Sequence, residues 1–279
     1  MMPFAISAIR TMTDYAMPHG LRRGCARRWH ATVVALLLAC PALTTAQGAA
    51  PRATDVPNAP PQNAPLLGAH TLLSHSEGEG VSPAVTAPIE TQPAGSTFIV
   101  LNGGYAKNGN GPVDNYANRW KRVGSRVVFN GYGGAFDVTA YVAVAGKGGS
   151  GHSVRIDKSG YPEGEITVPF IEVRNAGVLK DMAQNYPAPA LVMTSGEVTT
   201  TGPATLVAVW WGDGGVKTMT TRPDSGFQMI DSYLLLPDNS GVQCAVAYRQ
   251  VASAGTYHVS WVGSPMQGAI LWLFAFQAE

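Results

Sequence analysis

Two similar series of short apolar segments make up the sequence that follows residue 95. In each series, β-branched and aromatic runs are separated by Gly, Asn and Asp, which is the pattern of strands joined by turns. Five segments of the first series match five of the second at offsets of 103 to 108 residues, as Ser96–Val100 matches Ala204–Ala208. Because the offset changes only in predicted turns, we interpret the stretches near 95–174 and 203–279 as copies from an internal duplication.

Each copy is predicted to contain five strands. In the first copy they lie near 97–102, 119–130, 136–145, 152–157 and 165–174. In the second copy they lie near 204–211, 226–236, 242–251, 256–262 and 268–277, and 198–201 is a further short strand between the copies. One copy alone would expose an apolar face. We therefore expect an all-β fold, in which the copies pack face to face around one core as a two-sheet antiparallel sandwich of jelly-roll type.

The first 46 residues have the features of a secretory signal peptide. A segment with five Arg and one acidic residue precedes an apolar run at 31–39, which is too short to span a bilayer. Signal peptidase would cleave after Thr44-Thr45-Ala46, whereas the alternative is a lipobox over Leu37–Cys40 that leaves Cys40 lipidated. We expect a periplasmic, cell-surface or extracellular protein, whose only membrane contact would be that lipid anchor.

A linker is predicted between the signal peptide and the duplicated domain. Residues 47–94 contain eight Pro, many Ala and almost no aromatic residues, so they are expected to be disordered with polyproline character. His70 and His75 fall in this segment and should be solvated rather than bind a metal.

In the rest of the chain, the charge argues against nucleic acid as a partner, and the cysteine content excludes disulfides as a source of stability. After residue 46 there are 14 basic and 17 acidic residues, a net charge of −3, so the basic excess of a nucleic-acid-binding protein is missing. Cys244 is the one cysteine left, so no disulfide can form within the domain. Its apolar neighbours predict that it is a small buried side chain.

Three segments of the second copy carry a resemblance to known sequences. They are Thr205–Asp213, Val242–Ala247 and Gly255–Leu273, with weaker counterparts at 114–120 and 148–154 of the first copy. Together they resemble repeated β-sandwich modules of uncharacterised bacterial secreted and phage-associated proteins. The resemblance covers residues 95–279 and implies a β-sandwich fold, but it brings no catalytic residues.

The sequence contains no recognised catalytic motif. It has no nucleophile elbow, P-loop, zinc-protease helix or dinucleotide fingerprint. His152 and His258 fall on opposite faces of their strands, so they do not form a symmetric pair. The acidic residues Glu163, Glu165 and Glu172 either serve glycoside hydrolysis or are solvated charges at turns and edges. A hydrolase with an unrecognised site therefore remains an alternative.

A polar loop in the first copy is the best candidate for binding. Residues 107–118 are rich in Asn and Asp, and aromatic residues flank them. Such a loop suits carbohydrate, because rings stack on sugars while amides bond hydroxyls, although the same residues also form turns or bind Ca²⁺. Of Trp210 and Trp211, one should be core and the other rim, whereas Trp261 and Trp272 should be core. The candidate ligand-binding residues are Tyr105, Asn108, Asn110, Asp114, Asn115, Asn118, Trp120, Trp211 and Asp213.

These observations predict a secreted or cell-surface non-catalytic protein that binds a glycan or another extracellular polymer. The principal alternative is a structural or assembly protein whose sandwich packs against copies of itself.

Overall fold

The computed structural model describes residues 63–105, 111–128, 136–212, 215–224, 226–238 and 241–278. All regular elements in these residues are β-strands. The first half contains β1 (Leu66–His75), β2 (Ala84–Val85), β3 (Ala94–Tyr105), β4 (Val113–Asp114), β5 (Lys121–Val128), β6 (Phe136–Lys147), β7 (Val154–Ile156) and β8 (Ile166–Arg174). The second half contains β9 (Val178–Asn185), β10 (Ala190–Thr194), β11 (Val198–Thr200), β12 (Ala204–Gly212), β13 (Thr220–Pro223), β14 (Gln228–Tyr233), β15 (Cys244–Val251), β16 (Gly255–Tyr257), β17 (Ser260–Gln267) and β18 (Ala269–Gln277).

Each half forms one large and one small antiparallel sheet. The large sheets have the strand orders β1-β8-β3-β6-β5 and β9-β18-β12-β15-β14, and the small sheets have the orders β2-β7-β4 and β10-β17-β13. The strands β11 and β16 form a separate pair. If the second half is numbered without that pair, its sheets have the orders 1-8-3-6-5 and 2-7-4, as in the first half. Both halves therefore share one strand topology.

Three hydrophobic cores separate four layers of sheet. The central core lies between the two large sheets and is built from alternate residues, such as Ile99 and Leu101 of β3 and Val207 and Val209 of β12. A second core lies between the first large sheet and its small sheet, and a third lies between the corresponding sheets of the second half. The prediction of an all-β fold with antiparallel sheets packed face to face is confirmed. The expectation of a single core is wrong, because both faces of each large sheet are covered.

The predicted linker ends earlier than the sequence indicated. Residues 66–75, which were expected to be disordered, form the edge strand β1 and pair with β8. The apolar positions of β1 are sparse, but Leu72 packs against the central core and Leu73 against the core of the first half. The pairing with β8 satisfies backbone groups that a free linker would leave to water. The domain described by the structure therefore begins before β1 rather than at residue 95.

The segment between the predicted copies is also part of a sheet. Residues 178–185 form β9, which pairs with β18 at the edge of the second large sheet. The short strand expected at 198–201 is present as β11 (Val198–Thr200). The second half thus begins close to residue 178 instead of 203.

Side-chain hydrogen bonds join the edges of the two large sheets. On one side, His70 Nδ1 of β1 lies 2.7 Å from Asp231 Oδ2 of β14, and Ser76 Oγ lies 3.2 Å from Tyr233 Oη. On the other side, the Gln184 side chain of β9 exchanges hydrogen bonds with the backbone of Ser125 in β5. The prediction that His70 is solvated is wrong, because it forms an ion-pair geometry with an acid from the other half.

Glu172 connects β1, β8 and the start of β3. Its side chain is fully buried, and its carboxylate lies in a β-bulge of β1 where a Cβ on Gly68 would come within 2.2 Å of Oε2. The carboxylate accepts hydrogen bonds from Ala69 N (3.0 Å), Gln92 N (2.7 Å), Ser96 Oγ (2.6 Å) and Arg174 Nε (3.3 Å). Glu172 is therefore neither a solvated edge charge nor an available catalytic acid, because its oxygens hold the fold together.

Candidate functional site

The predicted polar loop is organised around the Asp114 carboxylate. Asp114 Oδ1 accepts hydrogen bonds from the backbone N–H groups of Tyr116 (2.8 Å) and Asn118 (3.2 Å), and Oδ2 accepts one from Trp120 Nε1 (2.6 Å). The Asn118 side-chain amide adds a fourth, at 3.3 Å. The carboxylate is buried, so these donors replace its hydration. They also leave little acceptor capacity for a Ca²⁺ ion or a sugar hydroxyl at Asp114.

Hydrogen bonding outweighs burial in setting the acidity of Asp114. Burial raises its pKa, but the donors described above, together with His152, hold the pKa below the ordinary value of 3.8. His152 Nε2 lies 3.8 Å from Asp114 Oδ1, which is close enough for electrostatic attraction but too long for a hydrogen bond. Asp114 is thus held as a carboxylate within a closed network.

Asn115 and Asn118 attach this loop to the end of β6 and to the segment that follows it. Asn115 donates to Gly151 O (2.9 Å) and accepts from Ser153 N (3.0 Å). Asn118 donates to Lys147 O (2.8 Å) and accepts from Lys147 N (2.7 Å). Both amides therefore pair with the backbone inside the protein, as turn-forming residues do.

Aromatic rings close the base of the loop. The His152 ring is fully buried and makes edge contacts with Phe98, Phe170 and Tyr116 at centroid distances of 4.8 to 4.9 Å. Its Nδ1 lies 2.9 Å from Thr91 Oγ1. His152 is consequently a packed core histidine. The Trp120 ring stands edge-on to Phe170 and is half-buried, so only part of its face is open to solvent.

Tyr105 belongs to an exposed aromatic pair at the end of the first large sheet. Its ring stacks on Tyr161 with centroids 5.4 Å apart and an interplanar angle of 29°. Tyr161 is 44% exposed, whereas Tyr105 is half-buried. Tyr105 is therefore a candidate ligand-binding residue whose ring stacks on an accessible aromatic neighbour.

The remaining candidate residues are placed differently from the prediction or lie outside the described residues. Trp211 is 1% exposed in the central core, where its Nε1 donates to Thr167 Oγ1 at 3.0 Å. Trp210 is also fully buried, so the prediction of one rim tryptophan is wrong, because the first large sheet covers one face of β12 and the small sheet of the second half covers the other. The core positions of Trp261, Trp272 and Cys244 are confirmed. The positions outside the described residues are Cys40, Asn108, Asn110 and Asp213.

A buried lysine occupies the loops next to the Tyr105–Tyr161 pair. Lys158 Nζ donates to Pro162 O at 3.0 Å and to Gly164 O. Burial lowers the pKa of Lys158, and Glu77 opposes that effect. The ammonium group therefore acts as a bridge between backbone carbonyls of the loop at 159–164.

Each small sheet exposes a row of aligned side chains on its outer surface. In the first half, Arg155 of β7 lies between Val85 of β2 and Val113 of β4, its two direct cross-strand partners. In the second half, Val262 of β17 lies between Val192 of β10 and Arg222 of β13. The valines are exposed by 46% (Val85), 47% (Val113), 55% (Val192) and 39% (Val262). Since the small sheets are the outermost layers, the two rows point to opposite sides of the molecule.

A surface groove borders each row. The groove of the first half has a volume of about 290 Å³ and is lined by Pro83, Gly111, Val113, Arg155 and Asp157. The groove of the second half has a volume of about 490 Å³ and is lined by Thr220, Thr221, Arg222, Val262, Gly263 and Ser264. These positions could not be predicted from the sequence, because β2, β4 and β13 are too short to give a periodic signal. The available signal was the apolar–charged–apolar triplet Val154-Arg155-Ile156.

The comparisons with known proteins give no relative for this chain. No family model, curated protein or solved structure matches it. In the described ranges, no group of three or more His, Cys, Asp or Glu side chains could hold a metal ion. The same residues contain no helical segment with the length and hydropathy needed to cross a bilayer.

Proposed function

We propose that this chain is an exported structural protein that assembles with copies of itself through its two small outer sheets. The observation that carries this proposal is the pair of exposed rows on opposite sides of the four-layer domain. Exposed apolar side chains next to charged ones are typical of protein contacts. Arg is also enriched at such contacts. In the described part of the polar loop, by contrast, Asp114, Asn115 and Asn118 use their hydrogen-bonding groups internally.

The proposal includes a jelly-roll topology for each half and an origin by duplication. Strand orders of 1-8-3-6 in one sheet and 2-7-4 in the other are those of an eight-stranded jelly roll, here with the fifth strand at the edge of the larger sheet. The same orders in both halves, and the regular sequence offsets, support duplication. Jelly rolls include capsid and lectin domains, which makes assembly and glycan binding the natural functions to compare, although fold alone decides neither.

Export is the other part of the proposal. The basic region, the apolar run and the cleavage site within residues 1–46 support secretion, with lipidation at Cys40 as the alternative anchoring route. These residues lie outside the described part of the chain. An exported location would place the outer sheets where copies can accumulate at a surface.

Self-assembly is tested by measuring molar mass against concentration. Light scattering coupled to size exclusion, with the purified full chain from about 1 to 500 μM, should show a mass that rises above one copy. Val262→Lys should shift this rise to higher concentration, since it places a charge in an apolar row. Val81→Lys is the matched control, because Val81 is 56% exposed but lies outside both rows. A strict monomer over the whole range would contradict the proposal.

Glycan binding is the second candidate, and the Tyr105–Tyr161 stack is the observation that favours it. An exposed aromatic pair offers a face for a sugar ring, and the neighbouring carbonyls are held in place by Lys158. Screening the full chain against cell-wall and extracellular polysaccharides should then give a ligand whose binding Tyr161→Ala weakens. Trp120→Ala is a useful comparison, because its indole N–H is already engaged by Asp114. No ligand among these polymers would remove this candidate.

A further inference from the structure

The two outer rows differ in a way that indicates how copies would meet. The first face comprises Val85, Val113, Arg155 and Asp157, and the second face comprises Val192, Val262, Arg222 and Asp224. Each face therefore carries two valines, one arginine and one aspartate. The acid follows the arginine by two residues in both, as in Arg155-Ile156-Asp157 and Arg222-Pro223-Asp224.

Both arginine side chains are exposed. Within the part of the chain that the structure describes, the side chains of Arg155 and Arg222 form no ion pair and no hydrogen bond. The aspartates have local partners. Asp157 accepts hydrogen bonds from Ser159 N (2.9 Å) and Ser159 Oγ and has a further partner, and Asp224 accepts one from Ser260 N (2.7 Å). A carboxylate can accept several hydrogen bonds at once, so these partners do not prevent a guanidinium from approaching it.

The position of the arginine decides which faces can pair. On the first face, Arg155 is on the central strand, so a two-fold contact of this face with itself would bring two guanidinium groups together. On the second face, the central position is Val262 and Arg222 is on an edge strand. A contact between unlike faces places Arg155 against an apolar centre and lets each arginine approach the aspartate of the other face. Like charges opposed across an interface are costly, whereas complementary ones favour the contact.

We propose that the first face of one copy packs on the second face of the next copy, with Arg155 near Asp224 and Arg222 near Asp157. This inference rests on the proposed function and adds the mode of assembly. Since the two faces lie on opposite sides of the four-layer domain, the contact leaves one free face at each end. Such a head-to-tail contact extends as an open filament, unless the rotation between successive copies closes it into a ring.

Charge reversal with rescue by mixing is the test. In the full chain, Arg222→Asp and Asp157→Arg should each raise the concentration needed for half-assembly about tenfold or more, because each leaves like charges opposed across the contact. An equimolar mixture of the two variants should assemble again. The altered second face of one variant meets the altered first face of the other, and the unaltered faces also match. Negative-stain microscopy of the wild type and of the mixture should show filaments.

Controls separate this contact from general effects of charge and folding. Lys180→Asp makes the same charge change on the exposed edge of β9, outside both faces, and should leave assembly unchanged. Circular dichroism and thermal unfolding of each variant confirm that the domain is folded. Val262→Lys adds a readout that does not depend on the Asp157 turn, and it should also weaken assembly.

The outcomes distinguish this inference from the function on which it rests. If wild type assembles but Asp157→Arg has no effect, the first face is not in the contact and the head-to-tail mode is refuted. If both variants lose assembly and their mixture stays monomeric, the pairing of unlike faces is likewise refuted, while assembly itself stands. A wild-type chain that remains monomeric at all concentrations overturns the proposed function as well.

Discussion

Replacing Trp211 with Ala should destabilise the domain by about 4 to 6 kcal/mol. The side chain is 1% exposed and lies between the large sheets, where a Cβ on Gly103 of the opposite sheet would come within 2.2 Å of its Nε1. Burial of about 150–250 Å² at about 25 cal/mol per Å² corresponds to about 4 to 6 kcal/mol. The lost hydrogen bond to Thr167 adds about 1 kcal/mol, whereas partial collapse of the cavity subtracts from the total.

The comparison with Trp120 makes this prediction specific. Trp120 is half-buried, so Trp120→Ala should cost about 2 kcal/mol, mostly from the hydrogen bond to Asp114. Guanidinium unfolding followed by far-UV circular dichroism gives both free energies from the midpoint and slope. A cost for Trp211→Ala below about 1 kcal/mol, or below that of Trp120→Ala, would refute the packing argument. It follows that loss of a ligand in Trp211→Ala would report unfolding rather than a binding residue.

Two further predictions concern buried carboxylates. Glu172→Gln should lower the free energy of unfolding by about 2 to 4 kcal/mol, because an amide N–H₂ would face N–H and O–H donors that now bond to an oxygen. Glu163→Gln, at an exposed position, should lower it by less than about 0.5 kcal/mol. Equal effects of the two substitutions in the same unfolding assay would contradict this account. Since the folded-state pKa of Asp114 is below the ordinary 3.8, its stabilisation is present above about pH 4 and is lost as the pH falls through the lower, folded-state pKa. Unfolding free energies measured from about pH 2 to pH 6 should therefore fall in acid for wild type, and less steeply for Asp114→Asn; parallel pH profiles for the two proteins would refute it.

Most of the strands with long β-branched and aromatic runs could be predicted from the sequence, but the elements that depend on tertiary contacts could not. The strands β3, β6, β12, β15 and β18 contain continuous β-branched and aromatic residues, so their positions could be read directly. Edge strand β1 carries Gly, His and Ser within a Pro-rich region, and its order comes from pairing with β8 and from Glu172 and Asp231, which are distant in sequence. Local composition contains no record of those partners.

The candidate site illustrates the same difficulty at the level of side chains. Residue type indicated that the Asn and Asp residues of the loop at 107–118 would form hydrogen bonds, either to a ligand or within turns. It did not predict whether those bonds would go to a ligand or to the protein. The bonds from Asn115 and Asn118 end on backbone groups 36 and 29 residues further along the chain, in the loop that follows β6 and at the last residue of β6. Only the register of the sheets brings these segments together.

The four-layer order explains why the small outer sheets are the surfaces left for function. In a two-layer sandwich, each sheet has one face in the core and one in water, so a binding surface can form on either large sheet. Here both faces of each large sheet are covered, and β12 and β18 are buried along their whole length. The small sheets, by contrast, expose Val and Arg side chains on their outer faces. The two halves share one strand topology, and their small sheets present related but unequal surfaces in opposite directions. In the proposed assembly, the central position of Arg155 and the edge position of Arg222 make the contact between these surfaces directional.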